Sequence, residues 1–373
     1  MIKVHYPKDV EKLKSDYLKL FDLETMKRKW APVEKKHHIT ITNLLVGDFP
    51  FLAEKYLWFK SQNVSERQKR IYSSIFDYDA MQPKIADFFM NPANGLELST
   101  CHYCNMAYIN TYSKALSYTD ALDFVNRATI AEWREIFDSD KLSENKLLDA
   151  IVNRPYRSLA DFNKKKYLKQ KIELYKDFSL NDPHNHFDLD HLLPKSICPI
   201  VGLSLFNFVP SCQVCNEKLK KAKELADTLD GWLKISPTYK DSAFDDNVPI
   251  KLVPMEHCST FFDLQRNNGN YRLEFQTKGD NEYEKYVSLF RLPDRYNYHK
   301  NLALHILDLK ERYPREKRKE ISRLLSAQET DSGSAICGSA IYSEAQIEID
   351  ILQEEFNQDR CFAKLRRDMI HKN

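Results

Sequence analysis

Four of the eight cysteines come as two close pairs, Cys101-His-Tyr-Cys104 and Cys212-Gln-Val-Cys215. One such pair can serve redox chemistry, but neither encloses a glycine or proline that would tune it. Haem attachment needs a histidine after the second cysteine, and Asn105 and Asn216 stand there instead. Two knuckles together supply four thiolates, the donor set of a tetrahedral structural Zn2+ site. The bland alternative is two unrelated pairs of buried thiols. Because 107 residues separate Cys104 from Cys212, tertiary folding must bring the first knuckle to the second. Cys198, Cys258, Cys337 and Cys361 are scattered and read as core thiols.

Ahead of the second knuckle runs Phe187-Asp-Leu-Asp-His191-Leu-Leu-Pro-Lys195. A histidine with an ordinary pKa of about 6.5 is largely neutral in the cytosol and can take a proton from water, so His191 is a candidate general base. Asp190 is a hard oxygen ligand suited to Mg2+ or Mn2+. Asn216 offers a second, neutral oxygen directly after a cysteine that fixes its backbone. These residues predict a cage for one catalytic divalent ion, braced by one structural zinc. Lys195, Lys218, Lys220, Lys221 and Lys223 flank the cage and can neutralise a nucleic-acid backbone; the competing reading is a solvated helix face. In an extended strand His186, Asp188 and Asp190 share one side, which places the first two near a substrate or at the surface. Tyr298-His299-Lys300 can touch phosphate or bond the backbone, and Arg366 and Arg367 can extend a basic groove or solvate a helix.

The rest of the chain must position these groups without nucleotide-binding loops. Only 8 of the 373 residues are glycine, and no two lie closer than five positions, so a G-x-G-x-x-G fingerprint is impossible. Gly333 and Gly338 have P-loop spacing, but Ser339-Ala340 follows them. A formal net charge of +2 confines nucleic-acid binding to local patches. The first residues lack the apolar core of a signal peptide, which with the unpaired cysteines predicts a reducing, cytoplasmic setting. Ser196 to Asn216 carries no Asp, Glu, Lys or Arg and is long enough to span a membrane. Pro199, Pro210, Asn207 and the closing knuckle argue instead for a buried, irregular scaffold.

The predicted fold class is α+β, a mostly helical chain around a small β-containing centre. Residues 1–97 read as an N-terminal helical region, with helices over 51–60, 67–76 and 80–90. Residues 98–225 hold the site, with 106–110 a short strand and a helical, lysine-rich insertion at about 111–182. Residues 226–373 begin with strands. Asn267-Asn-Gly-Asn270 predicts a hairpin turn joining 260–264 to the alternating 271–277. Helices follow at 284–290, 295–312, 315–325 and 342–356, the last opening on a Ser343-x-x-Gln346 capping box, and 327–339 reads as a linker.

The order Asp-His, central Asn, Cys-x-x-Cys-Asn, with an earlier Cys-x-x-Cys, resembles the zinc-braced HNH (ββα-metal) endonucleases. The wording is similar to a bacterial group found beside anti-phage ATPases in Septu-type and some retron systems. It is carried by Cys101 to Asn105, Leu189 to Ser196, Leu203 to Asn216, Phe290 to Lys300 and Asp359 to Asp368. The resemblance implies a treble-clef-like ββα core and phosphodiester hydrolysis of DNA or RNA. It gives His191 as base, Asp190 and Asn216 as ligands of the catalytic ion, Asn207 as the residue holding the His191 loop, and the four cysteines as zinc ligands. It also implies a role in defence and a partner ATPase. The motif ends on Asn216 where the family label has a final His. A chain needing only its cysteines would be the alternative, a non-catalytic zinc-ribbon module that binds nucleic acid or a partner protein.

Overall fold

The computed structural model describes residues 2–62, 64–96, 98–113, 121–129, 152, 154–158, 183–314, 316–320 and 360–371. Contacts divide the chain into two compact units, 1–110 with 185–373, and 111–184. In the second, the described elements are strands β1 (Thr111–Ser113) and β2 (Pro183–Asn185), which pair, and a helix, Ala121–Arg127. The lysine-rich run of the insertion, the 327–339 linker and the 342–356 helix with its capping box lie outside the described residues.

The first unit opens with six helices: α1 (Val10–Leu18), α2 (Leu23–His37), α3 (Ile41–Val46), α4 (Phe49–Ser61), α5 (Glu66–Ile75) and α6 (Tyr78–Met90). Each begins where a short polar side chain satisfies a free backbone N–H. Asp9, Asp22, Thr40, Asp48, Ser65 and Asp77 accept from the third residue onward in every case. Their apolar faces, including Tyr17, Trp30, Leu44, Tyr56 and Phe89, join one continuous core with the segment that follows His191. The predicted helices at 51–60 and 80–90 lie within α4 and α6, and the one at 67–76 matches α5 except for Phe76, its C-cap.

That core explains the charge-free segment. Pro199–Val201 and Leu205–Asn207 are short 3-10 turns, and every residue from 198 to 211 is buried. Tyr17 Oη donates to Leu203 O at 2.9 Å, and Ser204 Oγ donates to Leu44 O. The segment lacks charges because protein covers it. Among the described residues no helix is long and apolar enough to cross a membrane.

Strands β3 (Asp188–His191) and β4 (Phe208–Ser211) form an antiparallel pair with Asp190 opposite Val209 and His191 opposite Phe208. Chain then turns into a π-helix, Val214–Lys220, in which Lys221 N donates to Asn216 O at 2.7 Å. The sequence of elements around the site is therefore strand, buried loop, strand, helix.

The C-terminal strands are paired differently from the expectation. β5 (Ile250–Pro254) pairs with β6 (Tyr271–Phe275), while 261–266 is helical. Thr260 and Asp263 form a reciprocal capping box, which starts a helix where the hairpin turn at 267–270 suggested a strand. Residues 106–110 contribute an isolated bridge, Thr100 with Tyr108, in place of a strand. The single helix expected over 295–312 is two, Leu292–Asn297 and Lys300–Arg312. The architecture is mixed helix and sheet, mostly helical among the described residues.

Candidate functional site

The two knuckles meet. The Sγ atoms of Cys101, Cys104, Cys212 and Cys215 all lie within 4.8 Å of one another, close enough to hold a metal such as zinc. Each knuckle closes on itself: Asn105 N donates to Cys101 O at 2.7 Å, and Asn216 N to Cys212 O at 3.1 Å. Met106 N also points at Cys104 Sγ, 3.4 Å away. Asn105 takes a left-handed φ of 52°, a conformation asparagine tolerates better than most residues. Hydrogen bonds from Cys101, Cys104 and Cys215 hold the Cys212 thiol below its usual range, while Cys215 is pushed above its own. Arg295 Nη1 donates to Cys215 Sγ at 3.4 Å. Among the described residues this is the one grouping of three or more Cys, His, Asp or Glu with metal-holding geometry.

Later parts of the chain buttress the first knuckle. Tyr286 Oη donates to Tyr103 O at 2.9 Å, and Tyr296 Oη to Cys104 O at 2.7 Å. The tail folds back onto Asn105, whose Oδ1 accepts from Lys364 N at 3.1 Å and whose Nδ2 donates to Arg360 O at 3.1 Å. The described residues 360–368 and the segment 290–300, remote in sequence, thus meet at the cysteines.

His191 ends β3 with 8% of its surface exposed, against the rings of Tyr78 (4.5 Å between centroids) and Phe208 (5.0 Å). Its Nε2 lies 2.9 Å from Gly202 O. A carbonyl only accepts, so Nε2 carries the proton and Nδ1 is the basic nitrogen. Burial lowers the ring to about 3, which keeps it neutral at pH 7. Asn207 is wholly buried and holds this loop from three sides. Its Oδ1 accepts from Leu193 N at 2.7 Å, and its Nδ2 donates to Leu193 O and Val201 O, both at 3.0 Å.

Asp190 and Lys220 are not where the sequence expectation put them. Asp190 faces the interior, where Tyr103 Oη and Lys220 Nζ fill its carboxylate, the latter 2.9 Å from Oδ2. Lys220 has no exposed surface and also donates to His191 O at 2.7 Å, so it is a structural cation rather than a phosphate contact. Burial raises the Asp190 carboxyl, and Lys220 and Tyr103 oppose it. A divalent ion on Asp190 would have to displace an ammonium already bound there. The residues as arranged therefore do not fit a cage of Asp190 with Asn216. Asn216 turns the other way and donates from Nδ2 to Asp188 Oδ2 at 3.3 Å.

Asp188 and Asn216 both line an open cleft of about 910 Å³. Tyr78, Glu217, Arg295, Tyr298 and His299 share its wall, and His191 stands behind Tyr78. Burial raises the Asp188 carboxyl, partly offset by Asn216. Of the remaining lysines, Lys218, Lys221 and Lys223 are exposed around the end of the π-helix, as a phosphate contact requires. Lys195 Nζ pairs with Asp79 at 2.9 Å and sits 4.1 Å over the Tyr78 ring. Two other candidates are structural: Lys300 donates to Tyr271 O at 2.7 Å, and Arg367 is ion-paired with Asp245.

Tyr103 was legible in principle, since it sits inside the first knuckle. Arg295 and Tyr78 carried no local signal. No family model, curated protein or solved structure matches this chain.

Proposed function

We propose that this chain is a zinc-braced HNH-type endonuclease, hydrolysing phosphodiester bonds in DNA or RNA. One observation carries the reading. A neutral histidine with a free basic nitrogen ends a strand pair that runs directly into a four-cysteine cluster, and a buried asparagine locks the loop between. A general base must be deprotonated and held in one tautomer, which His191 is at pH 7, although burial that lowers the ring also weakens its pull on the proton of water. Zinc in the cluster would supply rigidity, fixing β4 and the π-helix against the first knuckle.

The reaction follows from these residues. His191 Nδ1 takes a proton from water, whose oxygen bonds to phosphorus as the bond to the 3′ oxygen breaks. The leaving 3′ oxygen takes a proton from solvent water, His191 releases its own proton to solvent, and the product carries a 5′-phosphate. Asn207 acts by positioning, keeping Gly202 O where it fixes the ring. Lys218 and Lys221 neutralise the flanking backbone. No step is routed through a divalent ion here, because Asp190 is already paired. The role in anti-phage defence and the ATPase partner rest on the family resemblance, and the absence of a glycine phosphate loop assigns any ATP use to that partner.

A second reading has its own support: 92% of His191 is covered and Asp190 is spent on Lys220, as in a zinc module that only binds nucleic acid or a partner protein. Incubation with plasmid DNA and with total RNA, in Mg2+ or Mn2+, separates the two. The nuclease reading expects cutting that His191→Ala abolishes. Cutting that survives the substitution, or none with any substrate, favours the binding module.

A further inference from the structure

Among the described residues six large hydrophobic side chains are exposed, and three of them, Tyr108, Val214 and Tyr298, line the same cleft. Single exposed apolar residues are ordinary, but a cluster on one concave surface marks a binding site. Tyr298 is 90% exposed and Tyr108 59%. The Tyr298 side chain makes no hydrogen bond, ion pair or ring contact with the described residues, so its ring contributes nothing visible to the fold.

The charge of the cleft excludes the commonest use of such a surface in a nucleic-acid enzyme. Arg295 is the one Lys or Arg among its lining residues, and its Nη1 is committed to Cys215 Sγ and Phe290 O. Asp188 and Glu217 add negative charge. A duplex presents its phosphates outward and hides the faces of its bases, so it would meet the wrong chemistry here. Unpaired bases present flat π-faces and amide edges. The cleft offers aromatic rings, together with the side-chain amides of Gln82, Asn185 and Gln213. Exposed lysines at the end of the π-helix, outside the cleft, are where a backbone would run.

We propose that this cleft binds the unpaired bases of a single-stranded nucleic acid, stacked on Tyr298 and Tyr108. The biological use of such binding rests on the nuclease reading above; the binding itself rests on the cleft alone. Stacking on an aromatic ring tolerates any base, so the site selects single strands rather than a sequence. The side-chain amides add hydrogen bonds to base edges.

The test is fluorescence anisotropy with the full chain, without added magnesium or manganese. Labelled oligo(dT), oligo(U) and a blunt duplex, each of about 15 nucleotides or base pairs, serve as probes. At least one single strand should bind about tenfold or more tighter than the duplex. Tyr298→Ala should weaken that binding about 5- to 100-fold, the range expected for one lost base stack, while Tyr298→Phe keeps it. Equal or tighter binding of the duplex, no binding to any probe, or an unchanged affinity in Tyr298→Ala overturns the proposal. If nucleic acid is cut and Tyr298→Ala is silent, this proposal fails and the nuclease stands. If ring-dependent binding appears without cutting, the nuclease fails and the base-binding cleft stands.

Discussion

Lys220 Nζ sits 2.9 Å from Asp190 Oδ2, and neither side chain has more than 5% of its surface exposed. An ion pair this deep is strongly held only while both members remain, because either one alone is an uncompensated buried charge. Lys220→Met is therefore expected to destabilise the chain by about 3–5 kcal/mol, and Asp190→Asn added to it should restore part of the loss. Urea denaturation of the two variants checks this. A Lys220→Met chain as stable as wild type, with weaker nucleic-acid binding, would instead make Lys220 a phosphate contact.

Metal content follows from the four thiols. Purified protein is expected to carry one zinc per chain by elemental analysis. Cys104→Ser should lose it together with most of the folded protein, since a structural zinc site contributes folding free energy directly. Full-length protein that is folded and zinc-free would leave the cluster as buried thiols only.

Much of this was legible because local rules report local facts. Paired cysteines name their own chemistry, and the caps and apolar spacing of α4, α5 and α6 announce helices before any packing is known. Asn207 is different: its role came from the family pattern, and only the fold shows the three bonds that perform it. Lys220 was misread because it lies in a run of exposed lysines. The i→i+5 bonding of the π-helix carries it round to the face of Cys215, which a regular α-helix would not do. The 260–264 strand was misread because the turn residues that follow it weigh less than one Thr-x-x-Asp box. Nothing in the sequence pairs Arg295 with Cys215, 80 positions away.

Removing Asn207 should separate positioning from chemistry. Asn207→Ala leaves the Leu193 N–H and two carbonyls unpaired in the core, at a cost of about 2–4 kcal/mol. The substitution keeps the His191 side chain but frees the loop that fixes its ring, so the remaining folded protein should bind nucleic acid normally and cut it more slowly. Chemical denaturation and cleavage rates measured on one preparation give both numbers. A variant that binds and cuts like wild type would remove Asn207 from the mechanism.

Acid sensitivity has a defined sign at His191. Its folded pKa of about 3 lies below the unfolded value of about 6.5. Between those values the unfolded chain holds the extra proton, so stability falls as pH falls. Acidification from pH 6.5 to 5 should cost about 2 kcal/mol through this one ring. Asp190, whose folded pKa is raised, works in the opposite direction, so a variant is needed to isolate the histidine. In His191→Asn the loss of stability between pH 7 and 5 should shrink by that amount, read from urea midpoints at each pH. Identical losses in both proteins would mean that the ring is protonated in the folded chain.

Asp188 and Asp190 are two positions apart on one strand, yet their substitutions should behave oppositely. Asp188 is half-buried, borders the cleft and accepts from Asn216. Asp188→Ala is expected to leave the unfolding midpoint almost unchanged and cleavage close to wild type, because its side chain touches neither His191 nor the loop that Asn207 holds. Asp190→Ala should instead lower the midpoint sharply, because it strands Lys220 without a counter-charge. Thermal melts beside cleavage rates decide between them. If Asp190→Ala folds normally and is inactive while Asp188→Ala is active, then Asp190 works on the substrate after all, and Lys220 must leave it when the enzyme turns over.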